Sequence, residues 1–231
     1  MSKLTKPIIF STPMVQAILA GRKTQTRRVI NFPNGLTPHW YHGQNEQGEH
    51  EFMFGEIDPE NRMAIDWTES VKAPYKAGDV LWVRETFTQI RNIETGHIDT
   101  FYAAEQKDYD TVSTTYLCDD DGFETDRTIP WKPSIHMPRE AARLFLRVTD
   151  VRVEQLQDIT EFDAIKEGFP GEECHHFGRG ACEDCNGTGW IEPPSVEFMM
   201  EWENLNAKRG LGWDVNPWVW VVEFERVEGE G

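Results

Sequence analysis

The segment Gly21-Arg22-Lys23-Thr24-Gln25-Thr26-Arg27-Arg28 gathers cations and hydroxyls and contains no acid. Backbone amides in a turn, reinforced by lysine and arginine, can hold an anion. A solvated basic turn has the same composition. The segment is not a Walker loop, because the second glycine and the preceding strand are missing.

A second chemical constellation lies near residue 180. Cys174-His175-His176 is followed by Cys182-Glu183-Asp184-Cys185-Asn186-Gly187-Thr188-Gly189. Two thiolates separated by two residues can clasp one ion, and the glycines let backbone amides turn toward the sulfurs. Cys174 and one histidine complete a tetrahedral set. His176 is favoured over His175 because one residue between it and Cys174 leaves more freedom to aim both at one ion. The expected metal is a structural zinc on Cys174, His176, Cys182 and Cys185, with no position open to water. Free thiols in a loop, or an iron site recruiting Cys118, are the alternatives.

A third set consists of aromatic and arginine blocks. Trp82 and Arg84 fall on one face of a predicted strand beside Glu85, and Trp131, His136 and Arg139 follow a proline-rich extended path. Aromatic rings stack on bases, and arginine and histidine donate to phosphates or base edges. His136 and Arg139, set among prolines and a methionine, are expected to be half-buried and oriented. Most of the nine tryptophans, Trp218 and Trp220 among them, are expected in the core.

These residues must be held by regular elements. Met14 to Gly21 is predicted as a short helix with Thr12 as N-cap, Pro13 in its first turn and Gly21 past its end. Residues 31–79, rich in Gly, Pro, Asn, His and acids, read as a long loop, an insertion at about 31–75. Alternation predicts a strand from Asp79 to Ile90, weaker ones at Thr100–Ala104 and Ser113–Cys118, and a long one at Arg143–Val153. Asp158 is predicted to cap a helix running through Ile165, with Glu161 at the capping-box position and Gly168 ending it. A second insertion at 170–194 precedes a helix at Ser195–Lys208 and a closing strand at Pro217–Val227. Short mixed strands, few helices and no βαβ alternation point to an α+β domain with a small closed or half-closed sheet. No interdomain linker is evident, so the two insertions are read as decorations of one domain, 1–231.

The chain of 231 residues has a net charge of −17, which argues against a long duplex as partner. The charge is uneven: residues 1–30 carry +6 and residues 131–152 carry +3, leaving −26 on the other 179. A basic site on an acidic body suits a small anionic ligand or a short single strand. No apolar run is long enough to span a bilayer, the N-terminal stretch lacks a cleavage signal, and four cysteines do not make a disulfide framework. A cytoplasmic, non-membrane protein is expected.

Several blocks, in order, resemble the ASCH-domain family, particularly the long forms found in phages and prophages. They are Pro7–Met14 with Ala20–Arg28, Ala77–Phe87, Trp131–Arg139 with Ala142-Arg143, Asp158–Phe169 and Asn216–Phe224. The resemblance implies a PUA-like fold, a small β-barrel with flanking helices and a cleft that holds RNA or a modified nucleoside. One compact branch of that family hydrolyses the acetamide of N4-acetylcytidine. Its catalytic lysine, threonine and glutamate fall on Lys23, Thr26 and Glu167. Nucleoside or RNA contacts are expected from Arg22, Arg27 and Arg28 of the basic segment and from Trp82, Arg84, Glu85, His136 and Arg139, with no cofactor required for catalysis. Such chemistry needs a nucleophile, a proton shuttle and charge stabilisation. Lys23 can take the Thr26 proton if burial and neighbouring arginines lower its pKa, and Glu167 can orient Lys23 or activate water. The present chain is about twice as long as the compact enzymes, and a shared motif does not fix a shared substrate. Two classes therefore stand: an amidohydrolase on an N4-acylated cytidine, and a non-catalytic reader of RNA or modified nucleic acid with a regulatory role.

Overall fold

The computed structural model describes residues 5–32, 43–44, 50–57, 64–91, 96–105, 112–114, 127–174 and 190–227. In chain order the strands are β1 (Thr5–Ile9), β2 (Gln25–Val29), β3 (Gly43–Gln44), β4 (His50–Ile57), β5 (Ala64–Lys72), β6 (Val80–Arg84), β7 (Phe87–Arg91), β8 (Ile98–Tyr102), β9 (Val112–Thr114), β10 (Arg127–Ile129), β11 (Phe145–Gln155), β12 (Glu172–Glu173), β13 (Trp190–Glu192) and β14 (Trp218–Val227). The helices are α1 (Thr12–Leu19), α2 (Glu161–Lys166) and α3 (Pro194–Asn206). The class is α+β with a sheet-dominated core, and no closed barrel is found among the described residues. No described helix is long and apolar enough to cross a membrane.

The chain divides into two compact units, one of residues 1–20, 80–146 and 226–231, the other of residues 21–79 and 147–225. In the first, β1 and β6 pair in parallel, Thr5 beside Val80 and Ile9 beside Arg84. Helix α1 buries Val15, Ala17 and Ile18. It begins at Thr12 rather than Met14, with Ser11 at the N-cap: Pro13 fits inside the first turn, so the helix extends back past it. The strand expected from Asp79 to Ile90 is broken at Glu85-Thr86. The second half, β7, pairs antiparallel with β8. Glu85 is buried there, and its backbone N–H meets the Met137 sulfur at 3.3 Å instead of a strand partner.

In the second unit, β11, β14 and β2 are successive neighbours in one sheet. β14 pairs antiparallel with β2, Val221 beside Arg27 and Glu223 beside Gln25. Paired residues share a face, so one face of the sheet has an apolar end and an ionic end. At the apolar end Val219 and Val221 pack with Leu156, Ala164, Phe198 and Trp202, with Val29 and Trp213 against them. Each of the larger side chains contributes about 1.5–3 kcal/mol by leaving water. The ionic end carries Gln25, Arg27, Arg152, Glu154 and Glu223, described below.

Residues 31–79 are not a continuous loop. β4 and β5 form a hairpin with β3 on its outer side. Ile65, Trp67 and Val71 alternate with Asp66, Thr68, Ser70 and Lys72, a strand pattern masked in the sequence by polar, glycine-rich flanks. The second insertion is closed at its base, where β12 pairs with β13 and sets Glu173 beside Trp190.

Candidate functional site

Glu167 is the C-cap residue of α2, and its position follows from how α2 starts. The N-cap is Thr160, not Asp158. Its hydroxyl oxygen accepts from Asp163 N at 3.1 Å and donates to Asp163 Oδ2 at 2.8 Å. Asp158 instead closes a short 3-10 turn, Leu156–Asp158. Glu161 lies two residues too early for a capping box, and it accepts from Ser195 N and Oγ at the start of α3. Helix α2 therefore runs to Lys166, and Gly168, with φ of 102°, ends it as expected.

The residues before β2 are tied to that helix end. Thr24 N donates to Lys166 O at 2.8 Å, and Phe224 N of β14 donates to Thr24 O at 2.9 Å. Arg22, which is exposed, donates to Gly168 O at 3.2 Å. Between them Lys23 turns inward and is only 2% exposed. Its Nζ donates to the Glu167 carbonyl and to Glu167 Oε2, both at 2.8 Å. Glu167 is 4% exposed, so both members of the pair are largely buried. A cation against the carbonyl end of a helix is favourable.

The other oxygen of Glu167 is held from β2. Arg27 Nη1 donates to Glu167 Oε1 at 3.2 Å, while its Nη2 donates to Glu154 Oε2 at 2.8 Å and lies 3.7 Å from Asp163 Oδ2. Arg152 continues the network, donating to Glu154, Asp163, Glu223 and the Gln25 side-chain oxygen Oε1. Lys166 donates to Glu223 at 3.2 Å.

Burial pushes the Lys23 amine down from 10.5. The charge of Glu167 and its hydrogen bond oppose the shift, Arg28 and Arg27 reinforce it, and the amine ends below its ordinary value. Burial pushes the Asp163 carboxyl up, but the Thr160 hydrogen bond, Arg27 and Arg152 outweigh it and hold the carboxyl below 3.8. Burial likewise lowers Arg28, against the pull of Tyr75 and Glu167. A lysine that sheds its proton more readily than usual, fixed to a buried carboxylate, can shuttle protons.

The structure thus brings Lys23 and Glu167 together across 144 residues of sequence. Thr26 is buried on β2 but pairs with Val222, so it lies on the strand face shared with Arg28 rather than with Arg27. Arg27 was expected at a ligand surface. It is 4% exposed and turned onto carboxylates, because strand alternation sends it to the α2 side.

The remaining expected contacts lie in the first unit. Trp82 and Arg84 are half-buried, with the Arg84 guanidinium 5.5 Å from the Trp82 ring centroid and donating to Ile135 O. Glu85, 1% exposed, accepts from Arg143 Nε at 2.9 Å and Nη2 at 3.0 Å, with Arg143 stacked 3.9 Å from the Tyr102 centroid. Its oxygens therefore face an interior partner. His136 and Arg139 are exposed, contrary to expectation: in two successive 3-10 turns it is Met137 that points inward.

Arg152, Glu154, Asp163 and Glu223 were missed by sequence reasoning. Two patterns carry them: Arg152 and Glu154 are two apart on a strand, and Asp163 and Glu167 are four apart on a helix, so each pair shares a face.

Of the zinc set, only Cys174 is described. It is half-buried. His176, Cys182 and Cys185, with the alternatives His175 and Cys118, lie outside the described residues. Among the described residues no group of three or more potential ligands gathers. No family model, curated protein or solved structure matches the chain.

Proposed function

We propose that the second unit binds a modified nucleoside and hydrolyses the acetamide of an N4-acylated cytidine, within an ASCH-type, PUA-like fold. The observation that carries this reading is the buried Lys23–Glu167 pair, with Lys23 held below the ordinary lysine range. The ordered sequence blocks support it independently. In the proposed reaction, neutral Lys23 takes the Thr26 hydroxyl proton, and the oxygen attacks the acetyl carbonyl. The tetrahedral intermediate collapses with cleavage of the bond to cytosine N4, which takes the proton from the Lys23 ammonium. Water then attacks the acetyl ester as Glu167 takes its proton; acetate is released, and the Thr26 oxygen recovers its proton from Glu167. Arg28, on the Thr26 side of β2, supplies positive charge to the oxyanion.

The test is to incubate the purified protein with N4-acetylcytidine and follow products by chromatography. Equal amounts of cytidine and acetate are expected. Tight binding of the nucleoside or of single-stranded RNA without any cytidine would replace this reading by the non-catalytic one. Neither turnover nor binding would overturn both.

The cysteine-histidine segment is proposed to hold one structural zinc on Cys174, His176, Cys182 and Cys185, remote from the chemistry. Pairing of β12 with β13 draws the ends of this segment together, which lowers the entropy of closing a metal clasp. Elemental analysis of protein purified without a metal-affinity tag should find about one zinc per chain. Less than about one-tenth of an equivalent, with all thiols titrating under native conditions, would exclude the site.

A further inference from the structure

We propose that Arg27 is a positioning residue that divides the Glu167 carboxylate, holding Oε1 so that Oε2 alone faces Lys23, and that Glu154 and Asp163 fix Arg27 for this task. The inference rests on the hydrolytic reading for its kinetic consequence, but its geometry stands apart from that reading.

Each Arg27 contact has a definite job. Nη1 takes Glu167 Oε1 at 3.2 Å, and Nη2 takes Glu154 Oε2 at 2.8 Å with Asp163 Oδ2 at 3.7 Å. Among the described residues Nε is buried without a hydrogen-bond partner, so the directed contacts there come from the two terminal nitrogens. The guanidinium also lies 5.8 Å from the Phe198 ring centroid, which limits its sideways movement. Glu154 on β11 and Asp163 on α2 are themselves bound by Arg152 at 2.6 and 2.9 Å. The arginine is therefore locked from three elements before it touches Glu167.

Two effects on Lys23 follow. A carboxylate free to rotate could place both oxygens toward the ammonium, which would stabilise the charged amine. Arg27 prevents that by occupying Oε1. Its own positive charge also repels a proton on Lys23, as does that of Arg28, whose neighbour is Tyr75. The facing groups are thus Glu167 from the α2 end and Arg27 and Arg28 from β2. Arg27 keeps the Lys23 amine available as a base without touching substrate.

The test reads Lys23 directly. In protein carrying 13C-labelled lysine, the Lys23 ε-carbon signal is assigned by its loss in Lys23→Met and titrated in wild type and Arg27→Gln. The Arg27→Gln midpoint should rise by about one pH unit, a tenfold loss of neutral amine at a fixed pH below it. The alkaline limb of turnover should move with it. Arg27→Lys keeps the charge but not the two-pronged hold. It should leave the midpoint closer to wild type and lower kcat with little change in KM.

If Arg27→Gln does not fold, Glu154→Gln loosens Arg27 and should move the midpoint part of the way. An unchanged Lys23 midpoint in folded Arg27→Gln, or in folded Glu154→Gln where that variant is needed, overturns the proposal. If the midpoint moves but no variant or wild type releases cytidine, the hydrolytic reading fails and the positioning role stands. If cytidine is released and neither midpoint nor rate profile moves, the reverse holds.

Discussion

Replacing Lys23 by methionine should lower N4-acetylcytidine hydrolysis by about 10²–10⁴-fold while preserving a cooperative thermal transition. Methionine fills the volume of the lysine stem and suits a site that is 2% exposed. Glu167 keeps a cationic partner, because Arg27 Nη1 still reaches Oε1. The substitution also removes a buried cation whose desolvation opposes folding, so the stability change is small compared with the kinetic one. What vanishes is the group in the proposed scheme that takes the Thr26 proton and passes it to cytosine N4. Initial rates of cytidine release provide the check. Wild-type rates in the methionine variant would remove Lys23 from the mechanism.

Replacing Glu167 by alanine has its largest expected effect on stability, a loss of about 3–5 kcal/mol near neutral pH. Glu167 binds Lys23 through Oε2 and Arg27 through Oε1, so its removal leaves two buried cations facing a cavity. Arg27 retains Glu154 and Asp163, and Lys23 retains the residue-167 carbonyl.

Lys23 can escape part of the penalty by releasing its proton. Its folded pKa then falls further below 10.5, while the unfolded value stays there. Between those two values the unfolded chain binds more protons, so stability rises with pH. The deficit of Glu167→Ala relative to wild type should therefore shrink as pH climbs toward 10.5, as read from urea midpoints. A deficit below about 1 kcal/mol at neutral pH, or one that grows with pH, would show that Glu167 does not compensate a charged Lys23.

Elements whose signals are local were legible in the sequence. The closing strand is an example: apolar residues run from Val219 to Val222, and all four are buried. Gly21 and Gly168 end their helices in the left-handed region, as glycine readily does. The start of α2 was misplaced because Asp158 and Thr160 are both good caps, and only the interlocked hydrogen bonds of Thr160 and Asp163 select between them.

Long-range choices were not legible. The break after Arg84 depends on Glu85 finding Arg143, 58 residues away. The sheet at residues 43–72 was hidden because its flanks set the average composition of the window, although β5 alternates by itself.

The candidate site divides in the same way. The basic segment is conspicuous because its charges are contiguous, yet Arg27 points to an interior whose acids come from β11 and α2. Much of the apparent basic patch is thus matched inside the protein by Glu154, Asp163, Glu167 and Glu223. Charge counted along the chain therefore overstates what a nucleic acid would meet. A small, locally held nucleoside fits this arrangement better than an extended strand.

The most direct test of the account is kcat/KM for N4-acetylcytidine as a function of pH. In the proposed reaction turnover requires the neutral Lys23 amine, and burial, with the charges of Arg28 and Arg27, makes that form more accessible below 10.5. A limb that rises with pH is expected, with a midpoint below 10.5 that follows the Lys23 signal and disappears in Lys23→Met. A rising limb centred at or above 10.5, or no cytidine at any pH, would contradict it.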